Sequence, residues 1–143
     1  MFGRILYFLF IFLFLIGGCA RPNYQTPALA DKIVDQSFIT VGLKFSMEWE
    51  QEPAPMRYES FLLKFYSEAD PTRYIDPMGY QPHVQLWMPS MNHGSSPVQI
   101  EKLEEGFYRV QKVFFNMPGE WDLRIQLKEG NIVREQVVLK ITL

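Results

Sequence analysis

The segment Trp121 to Lys128 alternates without a fault: Trp121, Leu123, Ile125 and Leu127 are apolar, while Asp122, Arg124, Gln126 and Lys128 are polar. A period of two sends successive side chains to opposite faces of an extended chain, so this segment buries one face only as a β-strand. The same period recurs. Ile39, Val41, Leu43, Phe45, Met47 and Trp49 predict one strand from Ser37 onward. Phe61, Leu63 and Phe65 predict another after the Glu52-Pro53-Ala54-Pro55 break. Val84, Leu86 and Met88 predict a third, and Val98 to Leu103 a fourth. A Glu104-Glu105-Gly106 turn leads into a fifth, from Phe107 to Asn116, whose alternation slips at Gln111-Lys112 as at a β-bulge. Met117-Pro118-Gly119-Glu120 sets Pro and Gly at the two centres of a type II turn. Gly130-Asn131 is a hairpin signal before a last strand with Val133, Glu135, Val137, Leu139 and Ile141 on one side. About seven strands at regular spacing, with no helical period, predict an all-β fold: an immunoglobulin-like antiparallel β-sandwich.

The N-terminus follows another rule. Arg4 precedes an unbroken apolar run from Ile5 to Ile16. That run has the size of a signal-peptide core and falls short of the roughly 20 residues a spanning helix needs. It ends in Ile16-Gly17-Gly18-Cys19, which resembles the lipobox of bacterial lipoproteins. The resemblance implies cleavage by signal peptidase II between Gly18 and Cys19, and lipid on Cys19. Ala20 is not the Asp that favours inner-membrane retention, so the resemblance implies an outer-membrane anchor facing the periplasm. Cys19 is the only cysteine, which rules out an internal disulfide. Ala20 to about Lys32 has two Pro and few apolar residues, and reads as a flexible tether. The expected organisation is a signal peptide over 1–18, a lipidated tether over 19–36 and a β-sandwich domain over 37–143. A net charge of −2 argues against a nucleic-acid partner.

The stretch His83-Val84-Gln85-Leu86-Trp87-Met88-Pro89-Ser90-Met91-Asn92-His93-Gly94 carries the most chemistry. Met88, Met91 and His93 lie within six residues at a predicted strand end. Thioethers and imidazole together suit Cu(I), and neither needs a thiolate. If consecutive strands alternate in direction, the loop 89–97 shares one end of the sandwich with the turn at Met117-Pro118-Gly119 and with the connection 50–56, which ends in Met56 and is entered by a strand with Met47 near its end. The other end takes the long loop 68–80, with Met78, and the two tight turns. A plainer account also fits these residues. Met88 is in phase with Val84 and Leu86 and can fill the core, Met117 can pack beneath its turn, and Asn92-His93-Gly94 is ordinary turn chemistry.

Met88-Pro89-Ser90-Met91-Asn92-His93-Gly94, then Gly106-Phe107-Tyr108, then Met117-Pro118-Gly119-Glu120-Trp121 resemble the M-P-x-M-x-H-G, G-x-Y and M-x-G-x-W motifs of the YtkA-like/FixH-like domain family. The resemblance covers roughly residues 37–142 and is sharp between 84 and 127. It implies a small extracytoplasmic β-sandwich linked to copper supply or cytochrome oxidase assembly. It also implies Met88, Met91 and His93 as copper ligands, with Met117 more weakly. FixH proper is held by a transmembrane helix; here a lipidated Cys19 takes that place. His83 lies on the strand face opposite Met88 and reads as surface or structural; Trp87 points to that same face, and Trp121 reads as core.

No catalytic arrangement stands out. The two His are ten residues apart, and the chain lacks a G-x-S-x-G elbow, an H-E-x-x-H helix and a Gly-rich phosphate cradle. Glu104-Glu105 reads as a solvated hairpin tip. The expectation is a non-enzymatic lipoprotein that binds copper as Cu(I), for delivery or homeostasis. Its expected partners are a membrane, through Cys19, and a copper-accepting or cell-envelope protein. The alternative is a metal-free, immunoglobulin-like interaction module of an envelope complex.

Overall fold

Each alternating segment becomes a strand, or part of one, in the computed structural model, which describes residues 33–143. Cys19, the signal peptide 1–18 and most of the expected tether lie outside the described residues. The strands are β1 (Ile33–Phe38), β2 (Leu43–Trp49), β3 (Tyr58–Ser67), β4 (Gln81–Met88), β5 (His93–Gly94), β6 (Gln99–Glu104), β7 (Phe107–Phe114), β8 (Glu120–Glu129) and β9 (Ile132–Thr142). One sheet has the order β1-β2-β3-β7-β6 and the other β5-β4-β8-β9, with every pair antiparallel. The all-β, two-sheet sandwich is as expected, with nine strands rather than about seven.

The differences have local causes. The run from Ile39 to Trp49 is not one strand: Ile39 to Gly42 form a turn, and β1 precedes it. Gly42 takes a left-handed φ of 61°, which its lack of a Cβ permits. Ile39, expected inside, is 87 % exposed at that turn, and Phe38 takes the fully buried place. Residues 33–36, assigned to the tether, pair with β2 as part of β1. In β9, Leu127 faces Glu135 but Lys128 faces Val133, so Arg134 is an extra residue. The bulge shifts the phase at the start of β9 only: Val133, expected on the inner side, is 41 % exposed, while Glu135, Val137, Leu139 and Ile141 keep the expected side. The bulge expected at Gln111-Lys112 is present: Glu59 pairs with Val113 and Phe61 with Val110, and Lys112 has a φ of 57°.

The core lies between the sheets. Phe38, Phe45 and Phe65 form one aromatic group, with ring centroids 5.2–6.4 Å apart. Trp49, Phe61, Phe115 and Trp121 form another toward the opposite end. At the Phe38 end, the connection 68–80 is pinned to the β6–β7 hairpin. The Ile75 N–H donates to the Phe65 carbonyl at 3.0 Å. Asp76 accepts from the Gly106 N–H and the Tyr108 hydroxyl, both at 2.8 Å, and from Lys102. Gly106 is required there, because a Cβ would stand 2.5 Å from the Ile75 nitrogen and φ is 66°. At the Trp121 end three connections meet. The Met56 N–H donates to the Phe115 carbonyl at 2.7 Å, and the Ser95 hydroxyl donates to the Phe114 carbonyl. Gly119 and Leu143 exchange backbone hydrogen bonds of 2.8 and 3.0 Å. The loops 50–56 and 89–97 and the turn 117–119 therefore share one end, as alternation of strand direction predicts.

Candidate metal centre

β4 carries Val84, Leu86 and Met88 inward, and Met88 is only 2 % exposed. Pro89–Met91 then make a single 3-10 turn. Asn92 closes it in the left-handed region, with a φ of 52°, and its N–H donates to the Pro89 carbonyl at 3.3 Å. Asn tolerates that conformation better than most residues. The reversal lays β5 against β4, so that Met88 faces His93 and Trp87 faces Gly94. Directly opposed residues share a sheet face, with Cβ atoms about 4.5–5.5 Å apart. Buried Met88 and half-buried His93 are thus neighbours by register.

The turn before β8 completes the arrangement. The Trp121 indole N–H donates to the Met117 carbonyl at 3.1 Å. Its ring meets the His93 ring edge-on, with centroids 6.2 Å apart and planes at 80°. Trp121, fully buried, so fixes both Met117 and His93. Gly119, with a φ of 137°, presses on Met88: a Cβ there would lie 3.2 Å from the Met88 methyl. Trp121 thus links the Met117 turn to His93, and Met88 lies opposite His93 and against Gly119 of that turn. Met91 is not part of that group; it stands on the 3-10 turn, 58 % exposed, at the rim.

The chemistry of these donors is specific. His93 Nδ1 is 3.1 Å from the Gly94 carbonyl oxygen. A carbonyl only accepts, so this bond puts the proton on Nδ1 and leaves the Nε2 lone pair for a metal. Among the described residues no three His, Cys, Asp or Glu side chains gather in a metal-binding group. Met88, opposite His93, offers thioether sulfur, a donor that suits soft Cu(I).

Other sites read from the sequence fall as follows. His83 lies on the outer face of β4, opposite Met88, and burial and the Lys128 charge push its pKa down. Trp87 shares that outer face, stacked on the Arg124 guanidinium at 5.1 Å. Met47 is fully buried, and Met56 is exposed at the candidate end. Met78 is exposed at the other end, and Glu104 and Glu105 are exposed at their hairpin. The sequence reading placed Trp121 in the core but missed its hold on Met117 and His93. Its only local sign is the four-residue spacing from Met117 across a Pro-Gly turn.

Residues 78–126 match the model of the YtkA-like family. The chain carries a YtkA-like segment. No curated protein matches the chain. The YtkA-like segment takes in β4 to β7 and most of β8, and contains Met88, Met91, His93, Met117 and Trp121. Its three motifs have separate structural duties. Met88 to Gly94 form the reversal that pairs Met88 with His93, and Gly106 with Tyr108 holds Asp76. Trp121 holds the turn of Met117, whose Gly119 lies against Met88.

Proposed function

We propose that this protein is a membrane-tethered, extracytoplasmic copper-binding lipoprotein, anchored through lipid on Cys19 in the outer membrane and facing the periplasm. It holds Cu(I) through His93 and methionine sulfur drawn from Met88, Met91 and Met117, and passes the ion to a copper-accepting protein by ligand exchange, without catalysis. The observation that carries this reading is the opposition of Met88 and His93 on paired strands, beneath the turn that bears Met117. Neutral ligands suit a carrier that must release its ion, and exposed Met91 suits the first ligand offered to an incoming site. The YtkA-like match over the same residues agrees with it.

The test is competition between the chain from Ala20 onward and a chromophoric Cu(I) chelator. About one Cu(I) per chain is expected, with affinity lowered by His93→Ala by more than the roughly 10–100-fold that loss of a ligand's outer-shell partner costs, and lowered also by Met91→Ala. Uptake no greater than that of the His93→Ala/Met91→Ala double variant sinks the copper assignment. The anchor is tested separately. The mature chain from membranes should carry the lipid mass on Cys19, and Cys19→Ser should release it.

One observation favours a second reading. Met88 is almost wholly buried, as a core residue would be. A metal-free interaction module of the envelope predicts no copper uptake and a partner that co-purifies regardless of changes at Met91 and His93.

A further inference from the structure

The direction of β1 fixes which end of the sandwich the tether enters. Ile33 pairs with Glu48 and Phe38 with Leu43, so the chain arrives beside Trp49 and runs away from it. Trp49 leads into the loop 50–56, whose Met56 N–H bonds the Phe115 carbonyl, next to the turn of Met117. The tether therefore joins the domain at the end that carries Met88, His93 and Met117. Three large apolar side chains, Met56, Met91 and Tyr58, are exposed there or at its edge, at 69, 58 and 67 %.

Chain length turns this placement into an orientation. Fourteen peptide steps separate Cys19 from Ile33. A coil of that length spans roughly 20 Å and reaches at most about 50 Å. The ten residues of β3 span about 33 Å from one end of the sandwich to the other. For the Met78 end to face the bilayer, those fourteen steps would have to cover most of that length, up to about two-thirds of their full reach and well beyond the span of a free coil, at a cost in chain entropy.

We infer that the Met/His end of the sandwich is its membrane-facing end. The inference rests on the lipid anchor proposed above, and not on copper. Met56 and Met91 lie at the bilayer-facing end, and the Gly130 hairpin points away from the bilayer.

Distance decides it. Gln51→Cys, at the Met/His end, and Asn131→Cys, at the other, each give the lipidated full chain a single free thiol, because lipid blocks Cys19. Each is labelled with a donor fluorophore on vesicles whose headgroups carry an acceptor. Energy transfer should place the Gln51 label closer to the headgroups by about 30 Å, the length of the sandwich. A protein-sized maleimide should label Asn131→Cys at the same rate on vesicles as in detergent, and Gln51→Cys several-fold more slowly on vesicles. Equal distances, or Asn131 nearer, in a chain shown by mass to be lipidated overturn the orientation and leave the anchor and Cu(I) uptake standing. A mature chain without lipid overturns anchor and orientation together.

Discussion

Trp121 couples the two halves of the candidate centre. Its indole N–H holds the Met117 carbonyl and its ring lies at 80° to that of His93. Trp121→Phe keeps most of the apolar bulk and leaves that part-buried carbonyl without its donor, at a cost of about 1 kcal/mol. The expected outcome is a folded but less stable chain, seen in urea denaturation, with Cu(I) affinity lowered in the chelator assay although no ligand has changed. Unaltered affinity would separate Trp121 from the centre. Gly119 makes a second case. Gly119→Ala puts a methyl group 3.2 Å from the Met88 methyl at a φ of 137°. Residues forced into such conformations cost about 1–3 kcal/mol. The variant should melt lower, and its Met88 methyl resonance should shift more than those of Met47 or Met78.

Among the elements, the connection 68–80 depends on one carboxylate. Burial alone would raise the pKa of Asp76, but hydrogen bonds from Lys102, the Gly106 N–H and the Tyr108 hydroxyl outweigh it and hold the group below its ordinary 3.8. Asp122, on the outer face of β8, is lowered by its hydrogen bonds to Lys140 and Arg124. Both groups bind protons more weakly folded than unfolded, so their stabilisation is complete above the unfolded carboxylate range. It is lost as pH falls through the lower folded values. The urea midpoint should fall below pH 4, and Asp76→Asn should flatten that fall while lowering the midpoint at neutral pH. A midpoint independent of pH in the parent chain would contradict this account. The sequence showed nothing of this contact, because Asp76 lies 26–32 residues from its partners. Period-two patterning reports which face a residue takes, not which distant loop its neighbour meets. For the same reason β4, β7 and β8 were legible. β1 was missed because Ile39 and Val41 continue the alternation of β2 through a turn, leaving only Gly42 to mark the reversal.

Across the whole molecule, the two aromatic groups lie at opposite ends of the core: Phe38, Phe45 and Phe65 pack along one sheet, and Trp121 brings a ring of the other sheet into the second group. Phe45→Ala, in the group remote from the candidate centre, should destabilise the fold by about 3–5 kcal/mol. Where the variant remains folded, Cu(I) affinity should be unchanged; parallel loss of both would mean the two ends do not act separately. By itself the sequence determined the all-β class, the inward residues of the central strands, the bulge in β7 and the sharing of one end by the loops 50–56, 89–97 and 117–119. These follow from local alternation and from the reversal of direction between successive strands, and both survive in any sandwich of this chain. Only the tertiary structure decided that Met88 and His93 oppose each other, that Trp121 binds Met117 and meets the His93 ring edge-on, and that Met91 stands apart at the rim. Those outcomes depend on register and on contacts between strands of different hairpins, which spacing along the chain does not encode.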